Sequence, residues 1–160
     1  MVEDIVRSFG FLSLGSRMKR IGERLQADTQ RILDEQGITV QASQFPFLAA
    51  IDRLGPLAVG ELAEAVGITQ PGATRALAQL IEADLLDVEP APDDQRRKIL
   101  SLSRKGRKLV EAAKKDAWPR IERAVRDLCG ELSGPLLEQL AGIEDGLAAA
   151  PLEKRPATGG

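Results

Sequence analysis

The side chains best suited to chemistry fall in two short stretches. The first runs Thr69, Gln70, Pro71, Gly72, Ala73, Thr74, Arg75, and the second Asp93, Asp94, Gln95, Arg96, Arg97, Lys98. Gln and Arg carry paired groups that match the edges of adenine and guanine. Thr offers a methyl or a hydroxyl, and Pro71 an apolar surface for a thymine methyl. This is recognition chemistry, not bond-breaking chemistry. Residues 91–110 hold seven Lys or Arg against two Asp, a local charge of +5. The whole chain carries −2, so the other 140 residues carry −7. A basic segment on an acidic body points to a localised anion contact, and equally to a solvated charged loop.

The residue types that are missing narrow the function further. The 160 residues include no histidine, no tyrosine and a single cysteine, Cys129. Ser-His-Asp and Cys-His catalysis, histidine-ligated zinc or haem, four-cysteine metal sites and internal disulfides are all excluded. Glu3-Asp4 and Asp93-Asp94 are adjacent carboxylates, but adjacency in sequence does not make a catalytic pair. The chain reads as a non-enzyme that calls for no cofactor or metal. With 43% apolar and 29% charged residues it reads as one globular domain able to bury its own core. No apolar run approaches the roughly 18 residues of a membrane span. The start, MVEDIVRSFGFL, lacks the basic and apolar stretches of a signal peptide. The expected location is the cytoplasm, with no membrane partner.

The positioning elements follow from periodicity. The first twelve or so residues read as an irregular arm. Leu14, Met18, Ile21, Leu25 and Ile32 then mark one long amphipathic helix ending near Gln36, with Gly37 as its cap. Ser43 is placed to cap a helix to Leu54 with Phe47, Ala50, Ile51 and Leu54 on one face, stopped by Gly55 and Pro56. Val59, Leu62, Ala63 and Val66 define a short helix closed by Gly67. Thr69 caps the next, with Pro71 in its first turn and Ala73, Ala76, Leu77, Leu80 and Ile81 facing inward. At 100° per residue, Gln70, Pro71, Thr74, Arg75 and Ala78 then face outward. Leu86 and Val88 alternate with acidic residues as a strand, and Lys98–Leu102 is the returning strand across a long tip. Ser103 caps a further helix that Pro119 should kink. Ser133 caps a last one bearing Leu136, Leu137, Leu140, Ile143 and Leu147.

Two helices joined by Gly67-Ile68 and followed by a hairpin make a winged helix-turn-helix. Such a helix can present its N-terminal side chains to a major groove. Arg96 at a narrow tip suits the negative potential of a minor groove, and Asp94 is close enough to hold its guanidinium.

The stretch from Ser43 to Gly106 resembles the MarR family of bacterial transcription regulators. VGELAEAVGITQPGATRALAQLIEADLL is similar to that family's helix-turn-helix. DDQRRKILSLSRKG is similar to its wing, with the D-x-R pair at Asp94 and Arg96 and Leu102-Ser103 in place of Leu-Thr. One departure is Asp84, where the family usually has Gly before the first wing strand; Asp also tolerates positive φ. The resemblance implies a mainly α fold with a small β-hairpin wing flanked by N- and C-terminal dimerisation helices. Residues 1–36 would be arm and dimerisation helix, 37–103 the DNA-binding region, 104–150 the C-terminal dimerisation helices and 151–160 a disordered tail. It implies a homodimer on double-stranded DNA, contacting an inverted repeat through Thr69, Gln70, Pro71, Thr74, Arg75, Asp94, Arg96 and Arg97. It further implies a repressor released by a small aromatic or phenolic effector, in a pocket that could involve Met18, Ile21, Leu25, Phe45, Phe47 and Trp118. Some family members sense oxidants through cysteines near the N-terminal helix. Cys129 lies elsewhere and reads as a buried structural thiol. The alternative is a winged helix used for protein–protein contact, against which the basic wing argues.

Overall fold

The computed structural model describes residues 1–129 and 132–149. The expected tail at 151–160 lies outside the described residues, as do the side chains of Leu137, Ile143 and Leu147. The chain divides after Glu122 into two compact units.

The N-terminal residues are more ordered than expected. Asp4 caps a helical turn, α1 (Ile5–Ser8), by accepting the Arg7 N–H at 3.1 Å. Its carboxylate also takes two nitrogens of the Arg20 guanidinium at 2.9 and 3.0 Å, a fork that lowers its pKa from the ordinary value. A 3₁₀ turn over Gly10–Ser13 leads into α2 (Leu14–Glu35). At the end of α2, Ile38 N–H bonds Leu33 C=O at 3.0 Å and Gly37 N–H bonds Asp34 C=O at 3.0 Å. Gly37 has φ +70°, so this is the glycine-closed terminus its position predicts. The expected stripe behaves differently: Leu33, outside it, is the buried residue of α2, while Met18 and Ile21 are exposed. Leu14, Leu25 and Ile32 are half-buried, so only the Met18 and Ile21 part of the stripe is left exposed among the described residues.

A turn at Ala42–Gln44 precedes α3 (Phe45–Leu54). Ser43 does not cap this helix. Gln44 Oε1 instead accepts the Gln41 N–H at 3.3 Å, and Pro46 occupies the first turn, where no N–H is needed. Phe45, Phe47, Leu48 and Ile51 are buried, whereas the expected Leu54 is exposed.

Next come β1 (Leu57–Ala58), α4 (Val59–Val66), α5 (Gln70–Glu82), β2 (Leu86–Pro90) and β3 (Lys98–Leu102). The strands form one antiparallel sheet in the order β1-β3-β2, with Leu57 opposite Leu100 and Leu86 opposite Leu102. The hairpin was expected; β1 was not. Leu33, Phe47, Leu62, Leu77, Leu100 and Val110 are each at most 1% exposed and tie α2, α3, α4, α5 and the sheet into one core with the helix over Arg104–Ala112. Burying one such side chain is worth about 1.5–3 kcal/mol.

Ser103 caps α6 (Arg104–Ala112), accepting the Gly106 N–H at 2.9 Å and donating to Asp84 C=O at 2.6 Å. A Cβ on Gly106 would lie 2.1 Å from Leu85 C=O, so glycine allows this close approach. The helix then widens into a π turn at Ala113–Ala117 before α7 (Trp118–Cys129). Trp118 N–H bonds Ala113 C=O, five residues back. Pro119, which has no N–H to give, thus expresses its expected disruption as a π turn. The last helix, α8, spans Leu136–Ala149 and starts after Gly134 (φ +85°) and Pro135, not at a Ser133 cap. Cys129 is partly exposed, not buried as expected.

Candidate nucleic-acid interface

The two helices of the motif meet through a tight corner. Ile68 N–H bonds Ala63 C=O at 3.0 Å, and Gly67 adopts φ +77°, a left-handed residue that ends α4 and redirects the chain. Thr69 then begins α5: its Oγ1 accepts the Gly72 N–H at 3.3 Å. Ala73, Leu77 and Leu80 face the core as expected, but Ile81 is exposed at 37%. The apolar repeat drifts off the buried arc by its eighth residue.

On the opposite face the structure brings Gln70, Pro71, Thr74 and Arg75 together, where they line one open concavity. All four are exposed. Among the described residues, the Gln70 amide and the Arg75 guanidinium have no side-chain hydrogen bond or ion pair. Both keep their full complement of donors, and Gln70 its acceptor, for an external partner. Thr74 differs, because its hydroxyl donates to the Gln70 C=O at 2.9 Å. With that hydrogen engaged, Thr74 offers outward a methyl and oxygen lone pairs, which favours a thymine methyl over a phosphate.

The wing tip is closed by its own backbone. Ala91 N–H bonds Arg97 C=O at 2.8 Å, and Arg97 N–H bonds Asp94 C=O at 3.1 Å. Asp94 Oδ1 accepts the main-chain N–H of Arg96 at 3.0 Å. The expected grip of Asp94 on the Arg96 guanidinium is therefore corrected. An aspartate at the head of a turn finds the N–H two residues on before it finds a long side chain. Among the described residues the Arg96 guanidinium is unpaired.

Arg97 is engaged elsewhere. Its guanidinium pairs with Glu61 of α4 at 3.0 Å. The same carboxylate accepts the Ala58 N–H at 2.7 Å and so caps the start of α4. Glu61 thus ties the wing to the helix-turn-helix, a link that 36 residues of separation hid from sequence reasoning.

At the other end of α5, Ala83 gives way to Asp84 with φ +60°. Leu85 N–H bonds Leu80 C=O at 3.0 Å, the closure that glycine makes at Gly37 and Gly67. The aspartate fills the left-handed position as expected.

The expected pocket residues separate. Phe45 and Trp118 meet edge to face, centroids 5.9 Å apart, at a concavity of about 300 Å³ that Thr29, Leu33, Pro46 and Ile121 also line. Phe47 lies in the core, and Met18, Ile21 and Leu25 are not among the lining residues. Among the described residues, no helix is long and apolar enough to cross a membrane.

Comparison with known proteins agrees with this architecture. Residues 36–97 match the MarR family. The chain is 32% identical over 129 residues to the HTH-type transcriptional regulator FarR of Neisseria gonorrhoeae, covering 78% of this chain and 86% of FarR. Against several mycobacterial HTH-type regulators the match spans only about half of the relative, 53%. Its fold is similar to that of a MarR mutant from E. coli complexed with operator DNA (TM-score 0.62, 19% identity, 92% of this chain and 98% of that one). It is also similar to BpsR of Bordetella bronchiseptica, whose DNA binding is described as regulated by 6-hydroxynicotinic acid (TM-score 0.65, 22% identity, 86% and 92%). A winged helix-turn-helix framed by helices, a match across its centre and a relative aligned over most of its length together make this chain a member of the MarR family.

Proposed function

We propose that the chain is a homodimeric transcriptional repressor that binds an inverted repeat in double-stranded DNA and is released by a small aromatic effector. The observation that carries the DNA reading is the outward face of α5. Gln70, Pro71, Thr74 and Arg75 are exposed in its first two turns, and the Gln70 and Arg75 side chains are uncommitted among the described residues. In this reading Gln70 and Arg75 contact base edges and Thr74 a thymine methyl. Thr69 anchors the helix start, whose N–H groups favour phosphate. Arg96 enters the flanking minor groove. Asp94 shapes the turn that carries it, and Arg97 holds the wing to α4.

The dimer is supported by the exposed Met18 and Ile21 of the α2 stripe and by the exposed Phe9 and Phe11 that precede it. Burying them against a second copy removes a surface that a monomer would leave in water. The effector reading is supported by the concavity at Phe45 and Trp118, whose aromatic edges suit a flat apolar ring.

The test is selection of genomic fragments by the purified chain, repeated with candidate aromatic acids and phenols. Enrichment of a two-fold symmetric site, lost on adding one of these compounds, is the expected result. Absence of any enriched fragment would favour the protein–protein interaction module instead. A site unaffected by every compound would remove the effector from the account.

A further inference from the structure

Gln44 is a buried polar side chain, 7% exposed, in the turn before α3. Its Oε1 accepts the Gln41 main-chain N–H at 3.3 Å. A main-chain N–H can only donate, so this bond decides which end of the Gln44 amide is oxygen. The Nε2 is thereby turned toward α5, where it donates to Gln79 Oε1. Gln79 is exposed, and its amide orientation is now fixed in turn. With the oxygen turned inward to Gln44, the Nε2 hydrogens are the end of the amide that faces outward. Among the described residues nothing accepts them. Arg75 lies one helical turn before it, on the neighbouring part of the same face. A guanidinium and an amide locked as a donor therefore line one edge of α5.

We propose that Gln79 is a DNA phosphate contact whose donor orientation is set by Gln44. The proposal rests on the reading that the outward face of α5 meets DNA. Phosphate is favoured over a base for two geometric reasons. Recognition helices touch base edges with their N-terminal residues, and Gln79 lies about 13 Å along the axis from Gln70. It also sits at the border of the exposed arc, against the 41–44 turn, so it faces the rim of a groove rather than its floor. A phosphate contact carries no sequence information, so its loss should weaken binding to every duplex alike.

The experiment compares Gln79→Met, Gln79→Glu and Arg75→Ala on the selected site and on a shuffled duplex, at two salt concentrations. Gln79→Met removes the donors without adding charge. Gln79→Glu keeps an oxygen for Gln44 and should hold the thermal midpoint near that of the parent chain. Both are expected to weaken both duplexes by about ten-fold or more, leaving the ratio between them unchanged. Arg75→Ala should lower that ratio. Parent-like binding by Gln79→Met while Arg75→Ala binds weakly would overturn the proposal and leave the interface standing. Parent-like binding by both would overturn the interface and the proposal with it. Should Gln79→Met fail to fold, Gln79→Glu decides alone. A loss that vanishes entirely at high salt is repulsion only and overturns the contact, whereas a residual loss supports it.

Discussion

Arg75 and Arg96 are both unpaired arginines among the described residues, yet they should fail differently when removed. Arg75→Ala should cost about 1–3 kcal/mol per contact and relax preference at one position in each half-site. Arg96→Ala should weaken binding to all sites with A·T-rich flanks, because a minor groove is read by width more than by base identity. Asp94→Ala tests the corrected geometry. The carboxylate braces the Arg96 main chain, so its loss should loosen the tip and weaken binding, although it removes a negative charge beside DNA. Tighter binding of Asp94→Ala in titrations at two salt concentrations would mean that the wing acts as a diffuse positive patch. The exposed residues of α5 were legible in the sequence because a cap, a proline and an apolar period fix which side faces out. The partner of Asp94 was not: a two-residue spacing is compatible with a main-chain or a side-chain bond, and only the turn geometry chooses. Gln79 was not legible either, since its partner sits 35 residues away.

The wing and its two anchors form the next level. Glu61 caps α4 and holds Arg97 with one carboxylate. Glu61→Ala should therefore lower stability by about 1 kcal/mol through the cap and weaken DNA binding beyond that through a freed wing. Arg97→Ala should show the binding loss with little change in stability, because an exposed ion pair contributes about 0–1 kcal/mol. Equal thermal losses in the two variants would contradict this division. At the base of the hairpin, Gly106→Ala should destabilise by about 1–3 kcal/mol, since the added Cβ meets Leu85 backbone that cannot swing aside. Asp84→Gly should raise stability by up to about 1 kcal/mol, by relieving a left-handed non-glycine residue; calorimetry of both variants checks the opposite signs. Most helices could be read from the sequence because glycines close α2, α3 and α4 and Thr69 and Ser103 cap α5 and α6; the other two expected caps, Ser43 and Ser133, do not start α3 and α8. β1 could not, because its two residues carry no alternation and become a strand only when β3 offers a free edge. The N-terminal turn was missed because a capping aspartate and an arginine sixteen residues on hold it.

For the molecule as a whole, the long helix carried a signal that its own protomer does not use. The Leu14, Met18, Ile21, Leu25, Ile32 stripe was legible as amphipathic, but the residue that α2 buries is Leu33. A periodic face that still exposes Met18 and Ile21 calls for a partner, which is the physical case for a second copy. Light scattering should give about twice the 17.2 kDa chain mass, and substituting Met18 and Ile21 by Glu together should weaken self-association and DNA binding alike. The proposed dimer would also fix the shape of the site, because two α5 helices related by two-fold symmetry would enter successive major grooves. Hydroxyl-radical footprinting on a selected fragment tests this most directly. The account predicts two protected half-sites of inverted sequence with centres about 10 bp apart, a weaker minor-groove protection outside each, and loss of the central pattern in Arg75→Ala. A single unpaired footprint, or protection unchanged by Arg75→Ala, would contradict it.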